Sequence, residues 1–255
     1  MTNEGVRFEM HGEVAIVTIN RPQARNAIDE ATAHALCAAM DRLDSEPGIR
    51  VGILTGAGGN FCSGMDLKAF LRGESAVTPE RGFAGIASRP PQVPLIAAVE
   101  GYALAGGFEI ALSCDLIVAA ETARFGLPEV KRGLMATAGG LVRLPRQLPR
   151  RIASELVLTG RMAEAAELAG FGLINRVTNE GLALEGALEM AGLIAANGPL
   201  AVAKSKQVMN AAQDWSSDEM FVRQDEIAQP VFTSEDAIEG ARAFAEKRPP
   251  RWSGR

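Results

Sequence analysis

The sequence predicts an α/β fold that becomes helical towards the C-terminus. Short apolar runs, among them VGILTG at 51–56 and PLIAAV at 94–99, alternate with helical patterns through residue 130. Beyond Ala138 almost every pattern is helical, apart from a brief strand in LINRV at 173–177. Apolar runs of this length are typical of buried strands, and their alternation with helices is typical of α/β proteins.

The first predicted elements are a β-hairpin and a capped helix. The segments VRFEM and HGEVAIVTI flank a turn, and VAIVTI alternates as a half-buried strand does. Pro22 then breaks regular structure, and Asp29 is placed to cap a helix that ends near Pro47-Gly48. The strand VGILTG follows, and after it comes a loop of small residues, GAGGNFCSGMDL.

The remaining elements follow in order. A polar stretch around Arg72-Gly73 and Thr78-Pro79 predicts a surface loop or a mobile helix. The run VPLIAAVEG predicts a strand that leads straight into Gly106-Gly107, and DLIVAA and ARFG predict two more strands. No segment is rich enough in Gly, Ser or Pro to be a linker between independent domains. The chain closes with four helical patterns, at 180–197, 199–212, 216–229 and 234–246.

Composition excludes several classes of protein. The 255 residues are 47% hydrophobic and carry a formal net charge of -5, which suits a globular protein and argues against a nucleic-acid binder. Three widely spaced cysteines and two histidines predict neither a disulfide framework nor a metal site. The polar N-terminus MTNEGVRFEM has no targeting pattern, and no run reaches the ~18 apolar residues of a membrane span. We therefore expect a cytoplasmic protein.

The stretch GYALAGGFEIAL, residues 101–112, places one carboxylate, Glu109, in an apolar run just after Gly106-Gly107. Burying a carboxylate is costly unless something compensates its charge. A helix that starts at these glycines offers unpaired N–H groups and a positive dipole end, which suit an anion or a developing oxyanion. Alternatively, the glycines form a turn and the carboxylate stabilises the helix dipole.

A second glutamate lies in RFGLPEVKRGL, residues 124–134. Pro128 constrains the backbone just before Glu129. Two converging glutamates could share a water, one as general base and the other as general acid. The alternative is that Glu129 caps a helix or pairs with Lys131 or Arg132.

The loop NFCSGMDLK, residues 60–68, contains the turn Ser63-Gly64, whose backbone N–H groups could bind an oxygen anion. Cys62 is either a nucleophile or an inert core residue, and neither histidine has an obvious link to it. The glycines here match neither G-x-x-x-x-G-K-[ST] nor G-x-G-x-x-G, so a nucleotide-binding loop has little support.

Together, NRPQARNAI, NFCSGMDLK and AAVEGYALAGGFEIALSCDLIVAAETARFGLPEVKRGL resemble the crotonase family, also called the enoyl-CoA hydratase/isomerase family. The resemblance continues through AGGLVRLPRQL, LTGRMAEAAELAGFGLINRV and AFAEKR, and so covers nearly the whole chain. It implies a spiral core of repeated ββα units at 1–195 and a C-terminal helical oligomerisation region at 196–255. It also implies homotrimers that commonly pair into hexamers.

The resemblance further implies an acyl-CoA thioester substrate. The backbone N–H groups of Met65 and Gly106 would hold the thioester oxygen, and Glu109 and Glu129 match the two glutamates of water-adding members. Coenzyme A is then part of the substrate, and we expect no separate cofactor, metal, nucleic-acid or membrane partner. The other matched positions are candidate contacts to CoA or the substrate: Arg25, Asn26, Ala27, Ser63, Asp66, Leu67, Lys68, Phe244 and Lys247.

Because both glutamates are present, hydration of a trans-2-enoyl-CoA to a 3-hydroxyacyl-CoA is the leading hypothesis. Isomerases, dehalogenases and thioester hydrolases of the family often lack one or both. The alternatives are an isomerase, a specialised dehydratase similar to carnitinyl-CoA dehydratases, and a non-catalytic acyl-CoA-binding protein. Glu100, Ala105 and the segment MATAGG depart from the common pattern of the family, so the acyl-chain preference stays open.

Overall fold

A computed structural model describes residues 5–255. Residues 1–4, where the N-terminal segment without a targeting pattern begins, lie outside the described residues. The strands are β1 (Val6–His11), β2 (Val14–Ile19), β3 (Val51–Gly56), β4 (Val77–Thr78), β5 (Gly82–Phe83), β6 (Leu95–Val99), β7 (Tyr102–Leu104), β8 (Leu116–Ala120), β9 (Arg124–Gly126), β10 (Met162–Glu164) and β11 (Arg176–Thr178). The α-helices are α1 (Glu30–Ser45), α2 (Leu67–Leu71), α3 (Gly106–Ser113), α4 (Gly140–Gln147), α5 (Arg150–Thr159), α6 (Ala165–Gly170), α7 (Ala183–Ala195), α8 (Pro199–Ala211), α9 (Met220–Phe232) and α10 (Glu235–Glu246).

The predicted hairpin and first helix are confirmed. β1 and β2 pair antiparallel, from Val6 opposite Ile19 to His11 opposite Val14. Asp29 caps α1, since its side chain accepts a 2.9 Å hydrogen bond from the Thr32 amide. The helix ends just before Pro47-Gly48, as the sequence predicts.

The strands form two main sheets that the chain visits in turn. The large sheet has the order β1-β2-β3-β6-β8-β11 and is parallel from β2 onward. β6 and β8 are each followed closely by a strand of the small sheet, β7 and β9, which pair parallel with each other. A helical segment comes next in both cases, α3 after β7 and a 3-10 helix at Pro128–Arg132 after β9. This repeat brings the segments that carry Glu109 and Glu129 side by side.

Three local predictions were wrong. β7 stands between the strand β6 and the glycine pair, where a direct connection was expected. The polar stretch at 72–79 enters a hairpin, β4 with β5, rather than a plain loop or helix. β10 pairs antiparallel with β9 in a region predicted to be helical. These strands have two or three residues each, so they are too short to show alternation and depend on tertiary pairing.

α7 covers one face of the large sheet with small side chains. Its buried alanines are four residues apart, at Ala183, Ala187, Ala191 and Ala195, and pack against apolar residues of β3, β6 and β8. The other face of the sheet lies under the larger core, to which α1 and α3 contribute. Burial on both faces explains why these parallel strands are almost continuously apolar.

Glu100 joins the end of β6 to the start of α7. Its carboxylate accepts hydrogen bonds from the amides of Gly181 at 3.1 Å and Ala183 at 2.9 Å. These amides belong to a helix start, where backbone N–H groups lack helical partners.

We expect Glu100→Ala to lower the free energy of unfolding by about 1–2 kcal/mol, because both amides lose their acceptor. Chemical denaturation measures this change. Glu185→Ala is the matched control, because Glu185 is an exposed carboxylate in the first turn of the same helix. We expect the control to change stability by less than about 0.5 kcal/mol, and equal losses in the two variants would contradict the assigned role.

The C-terminal helices expose many apolar side chains. α8 and α9 contain no fully buried residue. Among residues 5–255 no single helix is long and apolar enough to cross a membrane; Ala183–Ala195 and Pro199–Asp214 reach that threshold only as a pair bent by 107°. The large exposed apolar residues of α8 to α10 are Met209, Phe221, Val222, Phe232, Ile238 and Phe244.

Candidate active site

The loop after β3 packs tightly against the start of α3. Gly64 has φ +95°, and a Cβ on it would lie 2.9 Å from the Cβ of Ala105 and 3.0 Å from the Gly106 nitrogen. A Cβ on Gly107 would lie 2.0 Å from the carbonyl oxygen of Cys62. Gly64 and Gly107 therefore allow the close approach of two backbones. Ala105 itself has φ +52°, a strained conformation for a non-glycine residue.

Two backbone amides at this junction suit an oxyanion. Ile28 donates to the Gly64 carbonyl and accepts from the Asp66 amide, each at 2.8 Å, which holds Met65 in an extended bridge. Gly106 is the first residue of α3. Within the described part of the chain, neither the Met65 nor the Gly106 amide donates a hydrogen bond to a protein acceptor. They are thus available to bind an oxygen that gains negative charge.

Glu109 lies in the first turn of α3 and is 3% exposed. Its Oε1 accepts a 2.8 Å hydrogen bond from the Gly140 amide, at the start of α4. Burial raises the pKa of Glu109 to about 7; the Gly140 hydrogen bond opposes this rise and the charge of Glu129 adds to it. A solvated carboxylate that merely stabilises the helix dipole would not be buried in this way.

Glu129 follows Pro128 in the 3-10 helix and is half-buried. Its Oε2 is buried and has no hydrogen-bond partner among the described residues. Burial raises the pKa of Glu129, although its own backbone amide and the charge of Arg132 oppose the rise. A buried carboxylate oxygen without a partner is costly. The cap or salt-bridge interpretation of Glu129 therefore leaves this oxygen unexplained, whereas a role on a bound water explains it.

The two carboxylates titrate as a pair. The charge of Glu129 raises the pKa of Glu109, because a second negative charge nearby disfavours ionisation. Burial acts on both in the same direction. The state with one shared proton therefore extends towards neutral pH. One carboxylate and one carboxylic acid are what the addition or removal of water requires.

We expect Glu109→Gln to be more stable than the unsubstituted protein above pH 7, by at most about 3 kcal/mol. The pKa of Glu109 is about 7 in the folded protein and 4.5 ordinarily. As the pH rises from 4.5 to 7, Glu109 therefore ionises in the unfolded chain before it ionises in the folded protein, and the free energy of unfolding falls. The glutamine removes this penalty, and the gain should vanish below about pH 4.5. Chemical denaturation across pH 4 to 8 measures the difference.

The control for this pH dependence is Glu46→Gln. The side-chain hydrogen bond from Arg42 lowers the pKa of Glu46, and its stabilisation is lost as the pH falls. This substitution should therefore be neutral or destabilising at pH 8. A loss of stability at pH 8 in Glu109→Gln would contradict the assigned burial cost.

Cys62 is an inert core residue. It is fully buried, and burial raises its pKa to about 12 against the opposing hydrogen bond with Gly64. A thiol that stays protonated at neutral pH is a poor nucleophile. This outcome favours the core interpretation over the catalytic one.

The predicted CoA loop is rigid and linked to the site. The Asn26 side chain is buried and donates to the carbonyls of Ala57 at 2.8 Å and Asn60 at 2.6 Å, while it accepts from the Arg21 amide. Arg25 and Asn26 both have positive φ angles, 50° and 56°. A contact between Asn26 and CoA would therefore use its backbone, and the contacts predicted for Arg25 and Ala27 stay predictions.

The other half of the predicted CoA site is bonded to this loop. The Ser63 amide donates to the Arg25 carbonyl at 3.1 Å. Asp66 caps α2 and pairs with Arg21 at 3.1 Å. Partial burial raises the pKa of Asp66. Hydrogen bonds from the Ala69 amide and from Arg21 lower it by more, so the pKa of Asp66 lies below its ordinary value. Next to this anchored carboxylate, Leu67 and Lys68 are exposed.

Phe244 and Lys247 lie apart from these loops. Phe244 is 87% exposed on α10, and Lys247 ends that helix with φ +54°. No hydrogen bond or ion pair between described residues joins this end of α10 to the loops at 25–27 and 63–68. Their contact with CoA stays a prediction.

Three residues of the site escaped the sequence analysis. Phe83 lies in β5, and its ring is 2.5 Å from where a Cβ on Gly106 would stand, so it covers the flank of that glycine. Gly140 binds Glu109, and Arg143 lies in the first turn of the same helix. The segment AGGLVRLPRQL was the available signal for the last two, but local pattern does not reveal a partner 31 residues away.

The chain is similar to known proteins over nearly its whole length. A sequence model of the enoyl-CoA hydratase/isomerase family matches residues 9–255. The chain belongs to this family. Enoyl-CoA hydratase EchA19 of Mycobacterium tuberculosis is 46% identical over 254 residues, which cover 97% of this chain and 96% of that protein. A carnitinyl-CoA dehydratase of Citrobacter koseri is 41% identical over 261 residues, covering 99% of this chain and 100% of that protein.

Solved structures of the family share the fold. The crystal structure of enoyl-CoA hydratase EchA1 from Mycobacterium marinum has a TM-score of 0.97 and 55% sequence identity, covering 99% of this chain and 100% of that chain. The predicted crotonase-like spiral is therefore confirmed.

Proposed function

We propose that this family member is an enoyl-CoA hydratase, which adds water across the 2,3 double bond of a trans-2-enoyl-CoA to give a 3-hydroxyacyl-CoA. One observation carries the proposal: the buried Glu109 and the half-buried Glu129, both with raised pKa values, lie next to two backbone amides that have no acceptor among the described residues. Coenzyme A enters as part of the substrate, and no separate cofactor takes part.

Each part of the site supports one step. The Met65 and Gly106 amides bind the thioester oxygen, which draws electrons from C3 and stabilises the enolate that forms when water adds. One glutamate accepts a proton from the water while the water oxygen forms a bond to C3. The other glutamate gives a proton to C2 as the enolate collapses, so one water is added in total.

A dehydratase is the second candidate. Removal of water from a 3-hydroxyacyl-CoA uses the same pair and the same amides in reverse. The similarity to carnitinyl-CoA dehydratases over the whole chain favours a specialised substrate of this kind.

The test is an activity screen with purified protein. Crotonyl-CoA and longer trans-2-enoyl-CoAs lose their conjugated absorbance when hydrated. Carnitinyl-CoA serves as the arm for the specialised reaction, because loss of water from it creates a conjugated enoyl thioester. Turnover of unbranched enoyl-CoAs supports the hydratase. Turnover of carnitinyl-CoA alone supports the second candidate, and no turnover with any of them contradicts both.

We also propose that the protein is a cytoplasmic homotrimer that pairs into a hexamer. The apolar side chains exposed on α8 to α10 support this assembly, because neighbouring copies would bury them. Analytical ultracentrifugation tests the assembly, and a monomer at micromolar concentration would contradict it.

A further inference from the structure

Arg143 is a half-buried arginine without an ion pair among the described residues. One guanidinium nitrogen donates a 2.6 Å hydrogen bond to the Ala87 carbonyl. Another lies 2.2 Å from where a Cβ on Gly139 would stand, so the guanidinium rests against that glycine. By contrast, the buried Arg81 pairs with Asp41 and Asp44 at 2.8 and 2.7 Å. A partly buried charge with no counter-ion in contact is costly, and the cost calls for a function.

The backbone of Arg143 belongs to the turn that anchors Glu109. Its amide donates to the Gly139 carbonyl at 2.8 Å, and the next residue, Gly140, donates to the Glu109 carboxylate at 2.8 Å. The side chain then connects this turn to Ala87, four residues beyond Phe83 on the segment that covers Gly106. Arg143 thus ties the anchor of one glutamate to the wall of the oxyanion site.

The charge of Arg143 acts on Glu109. Burial raises the pKa of Glu109 most strongly, and the positive charge of Arg143 opposes that rise. The charge of Glu129, in the 3-10 helix, raises the pKa of Glu109. The charge of Arg132 lowers the pKa of Glu129.

The other titratable groups around Arg143 do not replace this charge. Cys114, at the end of α3, is buried, and burial raises its pKa so that the thiol stays neutral. Tyr102 lies half-buried on β7, which packs against α3. The charged residues of α5, which packs against α4, are exposed: Arg150, Arg151 and Glu155.

We propose that Arg143 is a positioning residue: its guanidinium locks the Gly139-Gly140 turn against Ala87 and thereby holds Glu109 in place. The consequence for turnover rests on the proposed hydratase function. The structural anchoring and the charge effect do not depend on it.

The test compares Arg143→Gln with Arg146→Gln, a matched control on the same helix whose exposed side chain faces Asp214. Glu109→Gln is introduced into each of these two variants and into the unsubstituted protein, and the stability that it adds is measured from pH 4 to 9. This pH dependence reports the protonation of Glu109 and does not require an active enzyme. With Arg143→Gln we expect the pH at which this gain levels off to rise, because a positive charge that opposes the raised pKa of Glu109 is removed. With Arg146→Gln we expect no shift, and an unshifted curve for Arg143→Gln overturns the proposal.

Arg143→Lys separates charge from geometry. It keeps the positive charge but loses the planar guanidinium, whose separate nitrogens reach Gly139 and Ala87. We expect its titration to stay close to that of the unsubstituted protein while kcat falls about tenfold or more. This variant also keeps the proposal testable if Arg143→Gln does not fold, because unchanged kcat in the lysine variant contradicts the anchoring role.

The pH profile of kcat/KM gives a second readout. The apparent pKa of the glutamate pair in this profile should rise in Arg143→Gln. If Arg143 only stabilised the fold, the substitution would lower the amount of active enzyme and leave the apparent pKa unchanged. If the unsubstituted protein shows no turnover at all, the hydratase proposal fails. The stability titration still decides the role of Arg143 in that case.

Discussion

Glu109→Gln and Glu129→Gln are each expected to lower kcat for enoyl-CoA hydration by about 100- to 10,000-fold. Glutamine keeps the size of the side chain but cannot exchange a proton with the bound water. The losses should not add in the double variant, because the two glutamates act on one water as a unit. Loss of enoyl absorbance with crotonyl-CoA measures the rates, and calorimetry with a 3-hydroxyacyl-CoA checks that binding is retained.

The exposed Glu185→Gln serves as the control for this series and should leave kcat unchanged. Full activity in either active-site variant would refute the roles assigned to the pair. Loss of activity accompanied by higher stability at pH 8 in Glu109→Gln would be a specific signature, because the buried carboxylate that the reaction uses is also the one that weakens the fold.

Gly64→Ala is expected to lower kcat by about 100- to 1,000-fold, the effect of a displaced oxyanion donor. The new Cβ would stand 3.0 Å from the Gly106 nitrogen and 2.9 Å from the Cβ of Ala105, and neither atom belongs to a flexible side chain. The backbone must therefore move, and the amides of Met65 and Gly106 separate. Steady-state kinetics with crotonyl-CoA measures the loss, which should fall on kcat more than on KM.

Gly59→Ala is the matched control for Gly64→Ala. Gly59 has φ +74°, so alanine meets the same unfavourable backbone region, but nothing lies within 4 Å of its added Cβ. It should lower stability modestly and leave kcat near that of the unsubstituted protein. Equal losses of kcat in the two variants would show that backbone strain, and not the spacing of the amides, is responsible.

The elements whose signals are local could be predicted from the sequence. The apolar run VAIVTI indicated the strand β2, although that strand is buried nearly throughout and does not alternate between buried and exposed residues. Asp29 indicated the start of α1, and the glycine pair with Glu109 indicated a helix start that could bind an anion. In each case the deciding residues lie within a few positions of one another, so propensity and capping are sufficient. Several motifs together, in their order along the chain, indicated the family.

Only the tertiary structure decided the state of these residues. Whether Glu109 is buried depends on Gly140, which is 31 residues away, and whether Glu129 has a partner depends on everything that packs around it. Phe83 and Arg143 reach the site through a hairpin and a helix whose positions local pattern does not encode.

The sequence by itself therefore determined the class of fold, the family and the two glutamates. Tertiary structure decided that both carboxylates have raised pKa values. Within residues 5–255 it also left two amides without a protein acceptor and one arginine near them without an ion pair. The physical reason is that charge state and hydrogen-bond satisfaction depend on contacts between segments distant in sequence. Residue types and spacing specify which groups are present, whereas packing specifies the medium in which they react.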